Sequence, residues 1–217
     1  PQALPGFADG WFAVQDCASQ LIVDALNTLP GDRILDACAA PGGKSGAIAE
    51  ALPETEVVSL DINAARTERM RENFQRLGLS VQIVDGSIMA NEAWWDGQRF
   101  SHIVMDVPCT ATGIIRRQPD IKHRRREGDA ERFAQQSLAM LEAAWAMLAN
   151  GGTLVYATCS LMPAENSEVV STFVDARTDA TVLPIDASWG IPVALGRQIL
   201  PGEGGMDGFY YARLVKA

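Results

Sequence analysis

The sequence is poor in histidine, in positive charge and in long apolar runs. Two histidines in 217 residues leave little for a nitrogen-rich metal site. The four cysteines, at positions 17, 38, 109 and 159, lie far apart with no Cys-x-x-Cys pair. Neither a zinc module nor a disulfide framework is expected, and reduced thiols point to a cytoplasmic location. No run approaches the ~18 apolar residues of a membrane span, and Pro1 to Gly10 lacks the basic stretch and apolar block of a signal peptide. Repeats and low-complexity tracts are absent. With 18 basic against 27 acidic residues the net charge is −9, which argues against a broad electrostatic grip on nucleic acid.

What is present is one domain's worth of chain with an ordinary apolar content of 47%. Its segments alternate. A helix is predicted over Val14 to Leu29, with apolar residues at 14, 18, 21, 22, 25, 26 and 29. A short strand over Arg33 to Cys38 leads into the turn Ala39-Ala40-Pro41-Gly42-Gly43. A helix from Lys44 to Leu52 and a strand from Val57 to Asp61 follow. Asn63 caps a further helix that Gly78 stops. Strands are expected over Val81 to Val84, His102 to Asp106 and Thr153 to Thr158. Leu138, Leu141, Trp145 and Leu148 mark a helix that Asn150-Gly151-Gly152 ends. Met162 to Arg177 reads as a last helix and Phe209 to Val215 as a final strand. Such alternation predicts an α/β fold, an open and mostly parallel sheet with helices on both faces.

Ligands in such folds bind beyond the carboxyl ends of the strands. On that rim stand the glycine turn, Asp61, Asp106-Val107-Pro108-Cys109 and Thr158-Cys159-Ser160. Glycines after the first strand admit a ligand to the backbone, and an acid at the end of the second suits a ribose diol. A nucleoside-containing cofactor follows. The dinucleotide fingerprint Gly-x-Gly-x-x-Gly is missing. Gly43-Lys44-Ser45 imitates a P-loop, but that loop needs Gly where Cys38 stands, and Pro41 removes an N–H donor.

Two cysteines at two strand ends suit one chemistry in particular. Pyrimidine C5 becomes nucleophilic only after a thiolate adds to C6, and the C5 proton must then leave. Cys159 could be the addend, Cys109 could assist release, and Asp106 could hydrogen-bond the base edge. A small buried hydrophobe is the bland alternative for either thiol. The stretch from Arg116 to Arg126 holds six of the 18 basic residues (Arg116, Arg117, Lys122, Arg124, Arg125, Arg126), either a solvated loop or a phosphate contact.

The runs from Leu35 to Ser45, from Asp106 to Gly113 and from Tyr156 to Ser160 resemble the motifs of the NOL/NOP/Sun family of RNA cytosine-C5 methyltransferases, nearest to its Sun-type ribosomal branch. The likeness extends through Gly10 to Asp16, Ile114 to Ile121, Leu200-Pro201-Gly202 and Asp207 to Ala212. It implies a Rossmann-like class I methyltransferase with a seven-stranded sheet, using S-adenosyl-L-methionine. It also implies 5-methylcytidine formation in RNA, 16S ribosomal RNA first. Transfer RNA as substrate, or a non-catalytic RNA-binding assembly factor, are the alternatives. Cys159 would be the nucleophile and Cys109 the promoter of adduct breakdown. Cys38, Ala39, Ala40, Pro41, Gly42, Gly43 and Lys44 would wrap the methionine end of the cofactor, and Asp61 its ribose. Asp106 would lie between cofactor and base, and Asp85 or Ser87 near the adenine. The basic cluster would meet RNA. Residues 1–30 would be a helical lead-in and 31–217 the catalytic domain, with the family's NusB-like RNA-binding domain absent. No metal, membrane or stable protein partner is implied.

Overall fold

The computed structural model describes residues 1–26, 28 and 31–217. Asp16 starts the chain's first helix, its carboxylate accepting from the Ala18 N–H. That cap places the start at Cys17 and leaves Val14 outside, 68% exposed. The single helix expected over Val14 to Leu29 is instead two short pieces, α1 (Cys17–Gln20) and α2 (Ile22–Leu26); Leu29 lies outside the described residues. The chain then runs β1 (Arg33–Asp36), α3 (Gly43–Ala51), β2 (Glu56–Asp61), α4 (Ala64–Leu77), β3 (Gln82–Asp85) and β4 (Phe100–Asp106). Next come α5 (Ile121–Arg124), α6 (Asp129–Met147), β5 (Leu148–Thr158) and α7 (Ser167–Asp175), then β6 (Ala180–Leu183), β7 (Ile191–Val193), β8 (Gly196–Ile199) and β9 (Phe209–Lys216).

Local chemistry fixes the boundaries of α4. Asn63 is extended and its Oδ1 accepts from the Arg66 N–H at 3.1 Å, while Gly78 ends the helix at φ 68°. Both are as the sequence predicts. Elsewhere the boundaries move. Leu148 belongs to β5 rather than to the preceding helix, and Gly151 and Gly152 lie within that strand, beside a register irregularity between β4 and β5. The helix expected from Met162 begins only at Ser167, because a 3-10 turn over Pro163–Glu165 precedes it.

All strands join one sheet in the order β3-β2-β1-β4-β5-β9-β8-β7, with β6 also paired to β9. β3 through β5 are parallel, while β6 to β9 add antiparallel pairs. Among the described residues nine strands therefore replace the seven expected. Those the sequence reading did not place, β6 to β8, are three or four residues long, and β7 and β8 lie among Gly190, Pro192 and Gly196, where no alternating apolar pattern betrays them. Consecutive residues of the central strands feed opposite cores. Leu35, Ile103, Leu154 and Tyr156 pack with Leu141, Trp145 and Phe173. Ile34, Val104, Val155 and Ala157 pack with Ile22, Leu26 and Ile48. The chain crosses from β1 to β2 on one side and returns to β4 on the other. That switch point leaves a crevice beyond the strands' carboxyl ends.

Candidate active site at the carboxyl rim of the sheet

Two cavities open on this rim. The first, about 400 Å³, is lined by Cys38, Ala40, Asp61, Arg66, Ser87, Asp106, Cys109 and Cys159 among others. The second, about 710 Å³, is lined by Gln15, Ser19, Pro41, Gly43, Lys44, Arg117, Gln118 and Phe209 among others. Ala40, Arg66, Asp106 and Cys159 line both. The cavities thus meet at a carboxylate and a thiol.

The parallel strands put those groups there. β1 ends at Asp36, and the next residues turn across the rim. The Ala39 N–H donates to the Leu60 carbonyl, and the Ala40 N–H donates to Asp61 Oδ2 at 3.1 Å. Gly42 adopts φ 94°, which favours glycine, and a Cβ there would meet Met70 at 2.6 Å. Asp61 also accepts from the Asn63 N–H at 3.0 Å. Its carboxylate, 5% exposed, lines the first cavity. Ser87 lines that cavity too. Asp85 does not: its carboxylate faces the Thr67 hydroxyl and Arg71, whose hydrogen bonds hold it below the usual carboxylate range.

Lys44 is buried on α3, and its Nζ lies 2.6 Å from Asp106 Oδ2 and 4.8 Å from the Phe209 ring centre. It lines the second cavity rather than the first. The ion pair fixes one oxygen of Asp106. Asp36 is fully buried, with Oδ2 accepting from the Ser45 hydroxyl at 2.6 Å and Oδ1 without a hydrogen-bond partner among the described residues. Burial pushes its carboxyl up to about 6, against the opposing pull of Ser45 and Lys44. Burial likewise pushes the Cys38 thiol well up, helped by Asp36, Asp106 and Asp61.

Cys109 and Cys159, 50 residues apart in sequence, sit with their Sγ atoms 3.5 Å apart. The hydrogen bond shared with Cys159, which holds the Cys109 proton in place, is the main cause that raises the Cys109 thiol well above its ordinary range, with burial next and the nearby Asp106 charge adding to it. Cys109 is therefore held as a thiol. Its loop is tightly determined. Ala111 takes the left-handed conformation at φ 59°, a strained state that persists only where surroundings enforce it. The Gly113 N–H donates to the Cys159 carbonyl, and the Gly208 N–H to the Gly113 carbonyl, both at 2.9 Å.

The basic stretch divides. Arg117 lines the second cavity, its guanidinium paired with buried Asp207. Arg125 donates to the Thr110 carbonyl. Arg116 reaches the Met206 carbonyl at 3.2 Å, and Arg124 pairs with Asp120 at 2.7 Å. The side chains of Lys122 and Arg126 are exposed on the surface. Sequence reasoning missed Arg66, which spans the Ala40 carbonyl and Asp61 between the cavities; its place in the first turn after the Asn63 cap was the available signal. It also missed Glu165, whose signal is weaker still. Among the described residues, no group of three or more His, Cys, Asp or Glu side chains is disposed to hold a metal, and no helix is long and apolar enough to cross a membrane.

This chain is 49% identical to ribosomal RNA small subunit methyltransferase B of Vibrio cholerae over 98% of its own length and 48% of that protein's. For the protein of the same name from Pseudomonas syringae pv. tomato the figures are 46%, 99% and 49%. The chain spans about half the length of these curated relatives. Among solved structures, NSun6 from Pyrococcus horikoshii with SFG superposes at a TM-score of 0.90 and 29% identity, over 100% of this chain and 56% of that one. A methyltransferase homolog protein from the same organism gives 0.85 and 28%, over 100% and 72%. The fold is thus the Rossmann-like one of S-adenosylmethionine-dependent methyltransferases. The sequence profile of the family described as 16S rRNA methyltransferase RsmB/F matches residues 23–215, and the chain belongs to that family.

Proposed function

We propose that this chain methylates C5 of a cytidine in 16S ribosomal RNA, with S-adenosylmethionine as methyl donor and Cys159 as covalent nucleophile. The observation that carries the reading is the facing pair of thiols, 3.5 Å apart, where the two cavities meet beside Asp106. The first cavity fits the donor: its volume is within the range of roughly 300–1,000 Å³ usual for cofactor sites. Its acid at Asp61, its polar Ser87 and its exposed apolar Ile62 and Met89 match a nucleoside's diol and base. Bound there, S-adenosylmethionine would supply an electrophilic methyl group, held by Cys38 and Ala40 of the turn and by Asp61, whereas Ala39, Pro41 and Gly43 line the second cavity.

The second cavity receives the target base. Asp106, its Oδ2 tied by Lys44, accepts from the base's exocyclic amine. Cys159 gives its proton to water, its sulfur pair forms the S–C6 bond and the C5=C6 π pair shifts to C5, which would take the methyl group while the methyl–sulfur pair leaves with the donor as S-adenosylhomocysteine. Cys109, facing the adduct sulfur across 3.5 Å, passes its proton to water and accepts the C5 proton. The C5–H pair restores the double bond, and the C6–S pair returns to Cys159. In this reading residues 31–217 are the catalytic domain and 1–30 its lead-in. Arg117, with the exposed Lys122, Arg124 and Arg126, meets phosphates.

Tritiated methyl transfer to a 16S ribosomal RNA transcript tests it, with transfer RNA in parallel. Cys159→Ala should abolish transfer while leaving donor binding intact. Cys109→Ala should accumulate a protein–RNA complex that survives denaturing electrophoresis. Turnover by the Cys159 variant would sink the assignment.

A further inference from the structure

Glu165 is a carboxylate 1% exposed, in the 3-10 turn ahead of α7. No cation pairs with it among the described residues. Burying a carboxylate in this way is costly unless donors satisfy it, and the donors here come from both cysteine loops. The Thr110 N–H donates to Oε1 at 2.7 Å, the Thr110 hydroxyl donates to Oε2 at 2.5 Å, and the Ser160 hydroxyl donates to Oε2 as well. Thr110 follows Cys109 directly and Ser160 follows Cys159 directly. One side chain therefore bridges the two peptides that carry the thiols.

The two loops depend on it unequally. Ser160 is also fixed by its N–H to the Thr158 hydroxyl at 3.1 Å and by Asn166 Nδ2 to its carbonyl at 3.0 Å. Thr110 has other supports too, its carbonyl accepting from Arg125 and its hydroxyl lying 3.2 Å from the Ser160 hydroxyl, but its N–H, the group next to Cys109, finds its acceptor in Glu165, and the loop contains the strained Ala111. Without the carboxylate, that strain favours relaxation of the Cys109 side, while Cys159 keeps its supports on β5.

We propose that Glu165 is a positioning residue that holds Cys109 against Cys159, and that its function lies in breakdown of the covalent adduct rather than in its formation. The inference rests on the roles given above to Cys159 and Cys109. Adduct formation needs Cys159 beside C6, which the β5 end secures. Release needs the Cys109 sulfur within reach of the C5 proton, and displacement of a reacting group by an ångström costs about 100-fold in rate.

The experiment compares Glu165→Ala, Glu165→Gln and Thr110→Val in the full-length gene product, with 16S ribosomal RNA transcript and S-adenosylmethionine. Glu165→Ala should lower kcat about 100-fold with kcat/KM for RNA unchanged, so that KM falls in step, and accumulate the denaturation-resistant RNA complex. Glu165→Gln, which keeps an acceptor for the Thr110 N–H while both hydroxyls can rotate to accept, should restore most of the turnover and clear the complex. A Glu165→Ala protein that turns over like the native enzyme, or is slow without trapped complex, overturns the inference. If Glu165→Ala does not fold, Thr110→Val decides: trapped complex supports the bridge, and native turnover refutes it. Failure of Cys109→Ala itself to trap RNA would instead overturn the role of Cys109.

Discussion

Asp36 shows how one residue carries both stability and site geometry. Its folded carboxyl titrates near 6 against an ordinary value of 3.8, so the folded state binds the proton more tightly than the unfolded one. Stability from this group is full below about pH 4 and is lost as pH rises through about 6. Asp36→Asn retains an acceptor for the Ser45 hydroxyl and removes the buried charge. Its stability advantage over the native protein should therefore grow between pH 4 and 6 and level off above, read by urea unfolding at each pH. A flat difference would show that Asp36 is not the titrating group. Gly113 is a second such residue. A Cβ on it would stand 2.1 Å from the Gly208 carbonyl oxygen and 2.8 Å from that of Cys159. Gly113→Ala must displace backbone at the nucleophile, and single-turnover methyl transfer should fall by about 100-fold.

At the scale of elements, α4 links cap chemistry to the cofactor side of the site. The Asn63 side chain accepts from the Arg66 N–H, and Arg66 then lies across the Ala40 carbonyl beside Asp61. Asn63→Ala should cost about 1 kcal/mol of stability, measurable by urea denaturation. It should also weaken S-adenosylmethionine binding by calorimetry, because the first turn of α4 frays beside Asp61. Unchanged donor affinity would separate the cap from the site. The cap and the glycine stop were legible because they act within a few residues. The division of the leading helix into α1 and α2 was not legible, since an apolar stripe continues across the break at Leu21.

Across the whole molecule, a net charge of −9 coexists with exposed cations at Lys122, Arg124 and Arg126. Their replacement by Ala should weaken RNA binding at all sequences alike. It should also reduce the slope of log affinity against log salt by about 0.7 for each single-strand phosphate left without its cation, read by filter binding across a salt series. An unchanged slope would assign these residues to the solvated surface alone. Arg125, by contrast, is committed to the Thr110 carbonyl and supports the Cys109 loop. The basic run is one cluster in sequence and several roles in space.

The sequence by itself determined the parallel β1–β5 scaffold, the glycine turn, Asp61, Asp106 and the two thiols at strand ends. Each of these is written in local spacing or in short apolar runs that a sheet with both faces covered must bury. Only the tertiary structure decided that Cys109 and Cys159 lie 3.5 Å apart, that Ser87 rather than Asp85 lines the first cavity, and that Glu165 bridges both cysteine loops. It also decided that β6 to β8 extend the sheet. These depend on the packing of segments tens of residues apart, where distance in the chain says nothing about distance in space.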